Sequence, residues 1–196
     1  MTFKLGLTGS IGMGKSTTAQ MFKDAGCAVW DADAAVHRLY AKGGAAVGLM
    51  GAQFPDAIED GTVSRDRLRT IISQDPSALT KIESIVHPLV AKDRAEFFAA
   101  AGSDILVFDI PLLFETGGNA AMDAVVCVRA SPDVQKERVL ARGTMTEDQF
   151  EAIRAKQMPN DEKCARSDYI VETDTMAHAH QQVTAIIADI RSRLDA

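Results

Sequence analysis

Short runs of apolar residues alternate with longer amphipathic stretches along most of this chain. Phe3-Lys4-Leu5-Gly6-Leu7-Thr8 reads as a first buried strand, and Cys27-Ala28-Val29-Trp30 as a second that leads into Asp31-Ala32-Asp33. Ile105-Leu106-Val107-Phe108-Asp109 is apolar at every position up to its terminal acid, which predicts a strand buried on both faces. Ala124-Val125-Val126-Cys127-Val128 and Tyr169-Ile170-Val171 complete the set. Between them lie helical segments: Thr17 to Ala25, stopped by Gly26; Ala34 to Lys42, stopped by Gly43-Gly44; and Ser131-Pro132 through Arg142, interrupted by Gly143. Thr146-x-x-Gln149 is a capping box for a short helix reaching Met158-Pro159, and a last helix runs from about Met176 to Leu194. Five strands alternating with helices predict an α/β domain with a parallel sheet covered on both faces.

From Ala45 to about Gly102 the strand signals stop and helical ones follow one another. Ser64 caps a helix through Ile72, and Asp75-Pro76 provides an N-cap and first-position pair for another. That helix meets His87-Pro88, where proline is expected to break or kink it, and helical character resumes from Leu89 to Ala101. The block is too long and too helical for a minimal crossover, so it reads as a helical insertion.

The first strand runs directly into Gly9-Ser10-Ile11-Gly12-Met13-Gly14-Lys15-Ser16, which is G-x-x-x-x-G-K-S followed by a helix. Glycines let such a loop approach phosphate oxygens without a Cβ in the way. Its successive N–H groups and the helix N-terminus form an anion nest. Lys15 supplies a point charge to the β- and γ-phosphates, and the Ser16 hydroxyl is placed to ligate Mg²⁺. The motif specifies a nucleotide without naming a reaction.

Composition narrows the partners. At 196 residues with 46% hydrophobic content the chain has material for one full core. A net charge of −6 argues against a general nucleic-acid or anionic-membrane binder. Cys27, Cys127 and Cys164 have no metal-ligand or CxxC spacing, and Cys27 and Cys127 fall in apolar runs as buried thiols, which fits a reducing compartment. No signal-like start and no apolar run of about 18 residues is present, so a soluble cytoplasmic protein is expected.

Several side chains are candidates for chemistry. Arg138 and Arg142 stand four apart on one helical face, with Arg154 and Lys156 beyond; they could close over phosphates or form a solvated basic face. Asp33 could cap the helix it begins or face an acceptor hydroxyl. Asp109, at a strand end, could hold Mg²⁺ through water or be a plain strand-end acid. Pro111-Leu112-Leu113-Phe114-Glu115 is an apolar loop expected to be exposed, and His87 lies in the helical insertion. His178 and His180 diverge on their helix, which speaks against a metal site. A nucleotide-dependent switch without turnover would share the loop but has no need of an acceptor-side acid, and the helical block around His87-Pro88 with the Pro111 to Glu115 loop argues against another small-molecule kinase.

The ordered set resembles the dephospho-CoA kinase family across nearly the whole chain. It comprises Gly6 to Ser16, Asp31-Ala32-Asp33, His87-Pro88, Pro111 to Glu115, Arg138, Arg142 and Gln157. The resemblance implies a P-loop core of the nucleoside-monophosphate-kinase type at 1–34, 103–137 and 160–196. It implies a helical acceptor domain at 35–102 and a lid at 138–159. It also implies ATP-dependent phosphorylation of the ribose 3′-hydroxyl of dephospho-CoA by direct in-line transfer, with Mg²⁺ held at Ser16. On that reading Asp33, Lys15, Arg138 and Arg142 are catalytic. Gly9, Gly12, Met13, Gly14, Lys15, Ser16 and Thr17 hold the nucleotide, and Asp33, His87, Pro111, Leu112, Leu113 and Glu115 meet the acceptor. No nucleic acid, membrane or obligate protein partner is implied. Ser10 and Met13 replace the family's usual glycine and serine at variable positions, and Glu172-Thr173-Asp174-Thr175 departs from its usual pattern near the adenine.

Overall fold

The computed structural model describes residues 2–195. The chain divides into two compact units, one made of Met1–Trp30 with Ala101–Ala196, the other of Asp31–Ala100.

The first unit carries the parallel sheet. Strand β1 (Phe3–Thr8) leads through the glycine loop to helix α1 (Lys15–Asp24) and then to β2 (Ala28–Asp31). After the second unit come β5 (Ile105–Asp109) and β6 (Ala124–Arg129), then helices α6 (Pro132–Ala141), α7 (Glu147–Lys156) and α8 (Asn160–Ala165). Strand β7 (Tyr169–Glu172) and helix α9 (Met176–Leu194) close the chain. The order across the sheet is β2-β5-β1-β6-β7. Strand β1 pairs in parallel with β5 from Phe3↔Ile105 to Leu7↔Asp109 and with β6 from Leu5↔Ala124 to Thr8↔Cys127. The five expected strands are present, displaced by no more than one residue at any end. Their apolar runs explain why: Leu5, Leu7, Ile105, Val107 and Val126 are all fully buried.

With β1 at the centre, the chain leaves it at the point where strand order reverses, and ligands of open α/β sheets bind there. One face of the sheet packs on α1 and α9. Phe22 of α1 and Val183, Ile186, Ile187 and Ile190 of α9 fill that layer, the α9 set recurring at helical spacing. A smaller cluster joins Leu113 and Phe114 to Val125, with Ile110, Met122 and Met158 around it. The loop after β5 is therefore packed at its middle: Leu113 and Phe114 are buried, while Leu112 faces out. All three thiols are free and buried, and Cys127 and Cys164 touch at 3.4 Å. Burial pushes the Cys27 thiol up to about 11.

The second unit comprises α2 (Ala32–Tyr40), α3 (Ala45–Gln53), a β3 (Ile58–Glu59) and β4 (Thr62–Val63) hairpin, α4 (Arg65–Gln74) and α5 (Ala78–Ala100). Its own core contains Leu39, Met50, Val63, Leu68, Ile82 and Val86. Three details depart from the pattern reading. The hairpin interrupts an otherwise helical block, with Asp60 and Gly61 both at positive φ in its turn; the Asp-Gly pair was the available signal. Asp75 accepts the N–H and hydroxyl of Ser77, so the following helix starts at Ala78 and not at Pro76. That helix also passes through Pro88 unbroken. Ala78, Ile82 and Val86 before the proline and Leu89 and Val90 after it pack on one cluster, so burial on both sides offsets the lost hydrogen bond. Among the described residues no helix is long and apolar enough to cross a membrane.

Phe22 anchors the α1 layer without reaching solvent. Phe22→Ala is expected to lower the unfolding free energy by about 3–5 kcal/mol, read from urea denaturation. A loss under about 1 kcal/mol would mean that the layer closes over the void.

Candidate active site

The centre of the first unit's carboxyl edge is the glycine loop. Gly12 and Gly14 adopt φ of 80° and 91°, the left-handed region that favours glycine. A Cβ at Gly12 would also stand 2.6 Å from Val139 Cγ2 and 2.9 Å from the Gln135 carbonyl oxygen. Among the described residues, the amides of Gly14, Lys15, Ser16 and Thr17 find no acceptor in the protein, the first α1 turn having no i−4 carbonyl to use. These N–H groups, gathered at a helix N-terminus, fit a phosphate. Ser16 and Thr17 are exposed, whereas Thr18 is buried and its hydroxyl donates to the Gly14 carbonyl at 3.2 Å.

The lysine has a partner. Lys15 Nζ pairs with Asp109 Oδ1, and Asp109, at the end of β5, is only 1% exposed. The strand-end acid thus holds the ammonium at the loop.

Four other side chains bond the loop from outside it. Ser10 N–H donates to Asn160 Oδ1 at 2.9 Å and Ile11 N–H to Gln157 Oε1 at 3.1 Å. Buried Gln135 donates to the Ile11 carbonyl at 2.7 Å, and Thr173 Oγ1 donates to the Met13 carbonyl at 2.8 Å. Arg138 donates to both Thr173 Oγ1 and the Thr173 carbonyl, so this α6 arginine is tied to the β7–α9 loop. Arg142 caps α6 and is exposed. Together Gly14, Thr17, Arg138, Arg142, Asp174 and Met176 border a cavity of about 460 Å³ beside the loop. Glu172 is turned away from it into an ion pair with Arg129.

The Pro111–Glu115 loop is anchored by a residue the sequence did not single out. Lys163 is fully buried, donates to the Pro111 carbonyl at 2.8 Å and pairs with Glu115 Oε1 at 2.8 Å. Thr8 Oγ1 donates to the same Pro111 carbonyl, and Met158 N–H to Glu115. Of the five loop residues, Leu113 is in the core and the Glu115 carboxylate is committed to the protein; Leu112 presents its side chain outward. Nothing in the local pattern distinguishes Lys163 from a surface lysine, and the same holds for Gln135, Asn160 and Thr173.

In the second unit Asp31 is the N-cap of α2, accepting the Ala34 N–H at 2.9 Å. Asp33 is therefore not the cap. It sits exposed in the first turn of α2 and makes no hydrogen bond or ion pair among the described residues. His87 is exposed on α5, which is tied to α2 by the Arg38–Asp93 ion pair. His178 bonds Asp174 four residues earlier, and among the described residues no cluster of three or more His, Cys, Asp or Glu suits a metal ion.

Partial burial pushes the Glu115 carboxyl up, but the bonds from Lys163 and Met158 N–H outweigh that and hold it below its ordinary 4.5. A carboxyl depressed in the folded state contributes stability that is complete above its unfolded pKa and is lost as pH falls through the folded value. Glu115→Gln should therefore be less stable than the parent at neutral pH, yet lose less of its stability on acidification below 4.5. Urea midpoints across that range check it; parallel acid slopes would refute the linkage.

The dephospho-CoA kinase family profile matches residues 3–179. A Ruegeria pomeroyi dephospho-CoA kinase is 70% identical over 192 residues, covering 98% of both chains. A crystal structure from Thermus thermophilus superposes with a TM-score of 0.84 at 29% identity, covering 96% of this chain and 97% of that one. A dephospho-CoA kinase from Campylobacter jejuni shares the fold at a TM-score of 0.70 and 22% identity, covering 97% and 98%. Matched by that profile over most of its length and by a relative 70% identical along nearly all of it, this chain belongs to the dephospho-CoA kinase family.

Proposed function

We propose that the protein transfers the γ-phosphoryl group of ATP to the ribose 3′-hydroxyl of dephospho-CoA, the last step of coenzyme A formation, by direct in-line displacement. As a member of its family it is a kinase, and ATP and dephospho-CoA are its substrates. The observation that carries the reading is the loop itself: amides without protein acceptors around a lysine whose counter-ion is a buried acid.

Each residue then has a chemical task. The Gly14 to Thr17 amides hold phosphate oxygens, and Lys15 exchanges Asp109 for the transferring group as charge develops on it. Arg138 and Arg142 border the adjoining cavity, which suits the rest of the nucleotide, and they can add positive charge beside the loop. Ser16, exposed in the first turn of α1, offers a hydroxyl to Mg²⁺, which would neutralise phosphate charge when bound. Asp33 is free of capping duty and is assigned as the base that orients and deprotonates the acceptor hydroxyl. His87, Leu112 and the backbone of the Pro111 loop are assigned to the acceptor, with Leu113 and Glu115 supporting that loop from below. The partition into core (1–34, 103–137, 160–196), acceptor domain (35–102) and lid (138–159), and a cytoplasmic location, belong to the same proposal.

The test is ADP formation from Mg-ATP with and without dephospho-CoA, with the product weighed by mass spectrometry. A dephospho-CoA-dependent signal and a product heavier by one phosphate are expected; nucleotide binding without that dependence would overturn the acceptor assignment. Asp33→Asn is expected to lower kcat by about 10²–10⁴-fold while ATP affinity stays within about twofold of the parent, since the base acts only on the acceptor proton. Full turnover in that variant would remove Asp33 from the mechanism.

A further inference from the structure

The glycine loop must solve two problems at once. Its inner amides have to stay free for phosphate, while the amides at its start need acceptors of their own. A loop that satisfied both sets from the ligand side would have competing donors and more than one shape. Here the two sets are separated by side-chain amides reaching in from the region after α7. Gln157 Oε1 accepts the Ile11 N–H at 3.1 Å, and Asn160 Oδ1 accepts the Ser10 N–H at 2.9 Å.

We propose that Gln157 and Asn160 are positioning residues for phosphoryl transfer, fixing the Ser10–Ile11 stretch so that the amides from Gly14 onward form one nest. Three observations support this. The Asn160 amide is itself oriented, its Nδ2 donating to the Val128 carbonyl at 3.1 Å, which leaves Oδ1 for Ser10. The segment bearing both residues is anchored independently of the loop, through Met158 N–H and buried Lys163 to Glu115. A cavity of about 610 Å³ opens between Ser10 and Met13 on one side and Met158, Pro159 and Asn160 on the other. On that side, hydrogen bonds rather than close packing restrain the loop. Gln135, donating to the Ile11 carbonyl from α6, holds the same residue from its acceptor side.

Gln157 is also the C-cap of α7, so its bond ties the nest to the end of that helix. The effect should fall on the nucleotide and spare the acceptor, because Met158 N–H and Lys163 keep their bonds to Glu115 whether or not Gln157 holds the glycine loop.

This inference rests on the kinase reading for its kinetic part, and the experiment separates the two. ATP affinity is measured by calorimetric titration of the full chain without acceptor, and KM for each substrate by steady-state turnover. Gln157→Ala, and Gln157→Leu as a variant of similar volume, are expected to weaken ATP binding about tenfold, the worth of one good hydrogen bond to a loop amide. KM for dephospho-CoA should stay within about twofold, whereas general damage to the fold would raise both. Gln157→Glu keeps an acceptor at the same reach and should recover ATP affinity to within about threefold of the parent, which loss of mere packing would not predict. Asn160→Ala should change ATP affinity in the same direction. Unchanged ATP affinity in Gln157→Ala and Gln157→Leu, an equal loss for both substrates, or a Gln157→Glu no better than the alanine would each overturn the positioning role. Absence of dephospho-CoA-dependent turnover in the parent would overturn the kinase reading, and ATP affinity across the variants would still decide the role of Gln157.

Discussion

The shape of the loop between β1 and α1 is the constraint on which the site depends. A nest of N–H groups is an unfavourable arrangement in an empty protein, because like-oriented dipoles repel and nothing inside the loop satisfies them. It persists here because its other polar groups are used up by fixed partners: Asn160 and Gln157 take two amides, while Gln135 and Thr173 donate to two carbonyls. Glycine at 12 and 14 removes the steric objection, but glycine alone permits many shapes and selects none. Selection comes from the surrounding elements, whose bonds fall on Ser10, on Ile11 from both sides, and on Met13.

Charge follows the same logic. Lys15 is mostly buried and Asp109 almost completely so, and either alone would be costly in that position. As a pair they hold the ammonium at the site before a nucleotide arrives. On the proposed reading, phosphate would replace one anion by another around the same cation, an exchange that needs far less desolvation than drawing a hydrated lysine in from solvent. Glu115 and Lys163 repeat the arrangement one loop away, where the purpose is structural: the buried lysine ties the Pro111 carbonyl and the Glu115 carboxylate to the start of α8. Two buried lysines in one unit thus serve different ends, distinguished by whether an outside anion can reach them.

The second unit needs less machinery. Asp31 ends β2 and caps α2, and that one bond frees Asp33 two residues later. Had Asp33 been the cap, its oxygens would already be committed and a role toward an acceptor proton would be hard to sustain. Two acids at i and i+2 across a strand-to-helix junction divide the labour because only one can reach the Ala34 amide.

What the sequence determined by itself was everything carried by local order. Continuous apolar runs such as Ile105–Asp109 located the strands, because full burial leaves no polar position to blur them. Alternation with helices gave the parallel sheet, and G-x-x-x-x-G-K-S after a strand marked the candidate phosphate loop, since that chemistry needs those residues consecutively. Local rules misled where distant contacts outweighed them: Pro88 does not end α5 because both of its sides pack on the same cluster, and the middle of the Pro111–Glu115 loop is buried because Leu113 and Phe114 find Val125 across the fold. Only the tertiary structure decided which of Asp31 and Asp33 caps a helix, that Lys15 rests on Asp109, and that Lys163, Gln157 and Asn160 reach residues 32 to 150 positions away. A side chain's partner at such separation is set by how strands and helices stack, and no spacing along the chain records it.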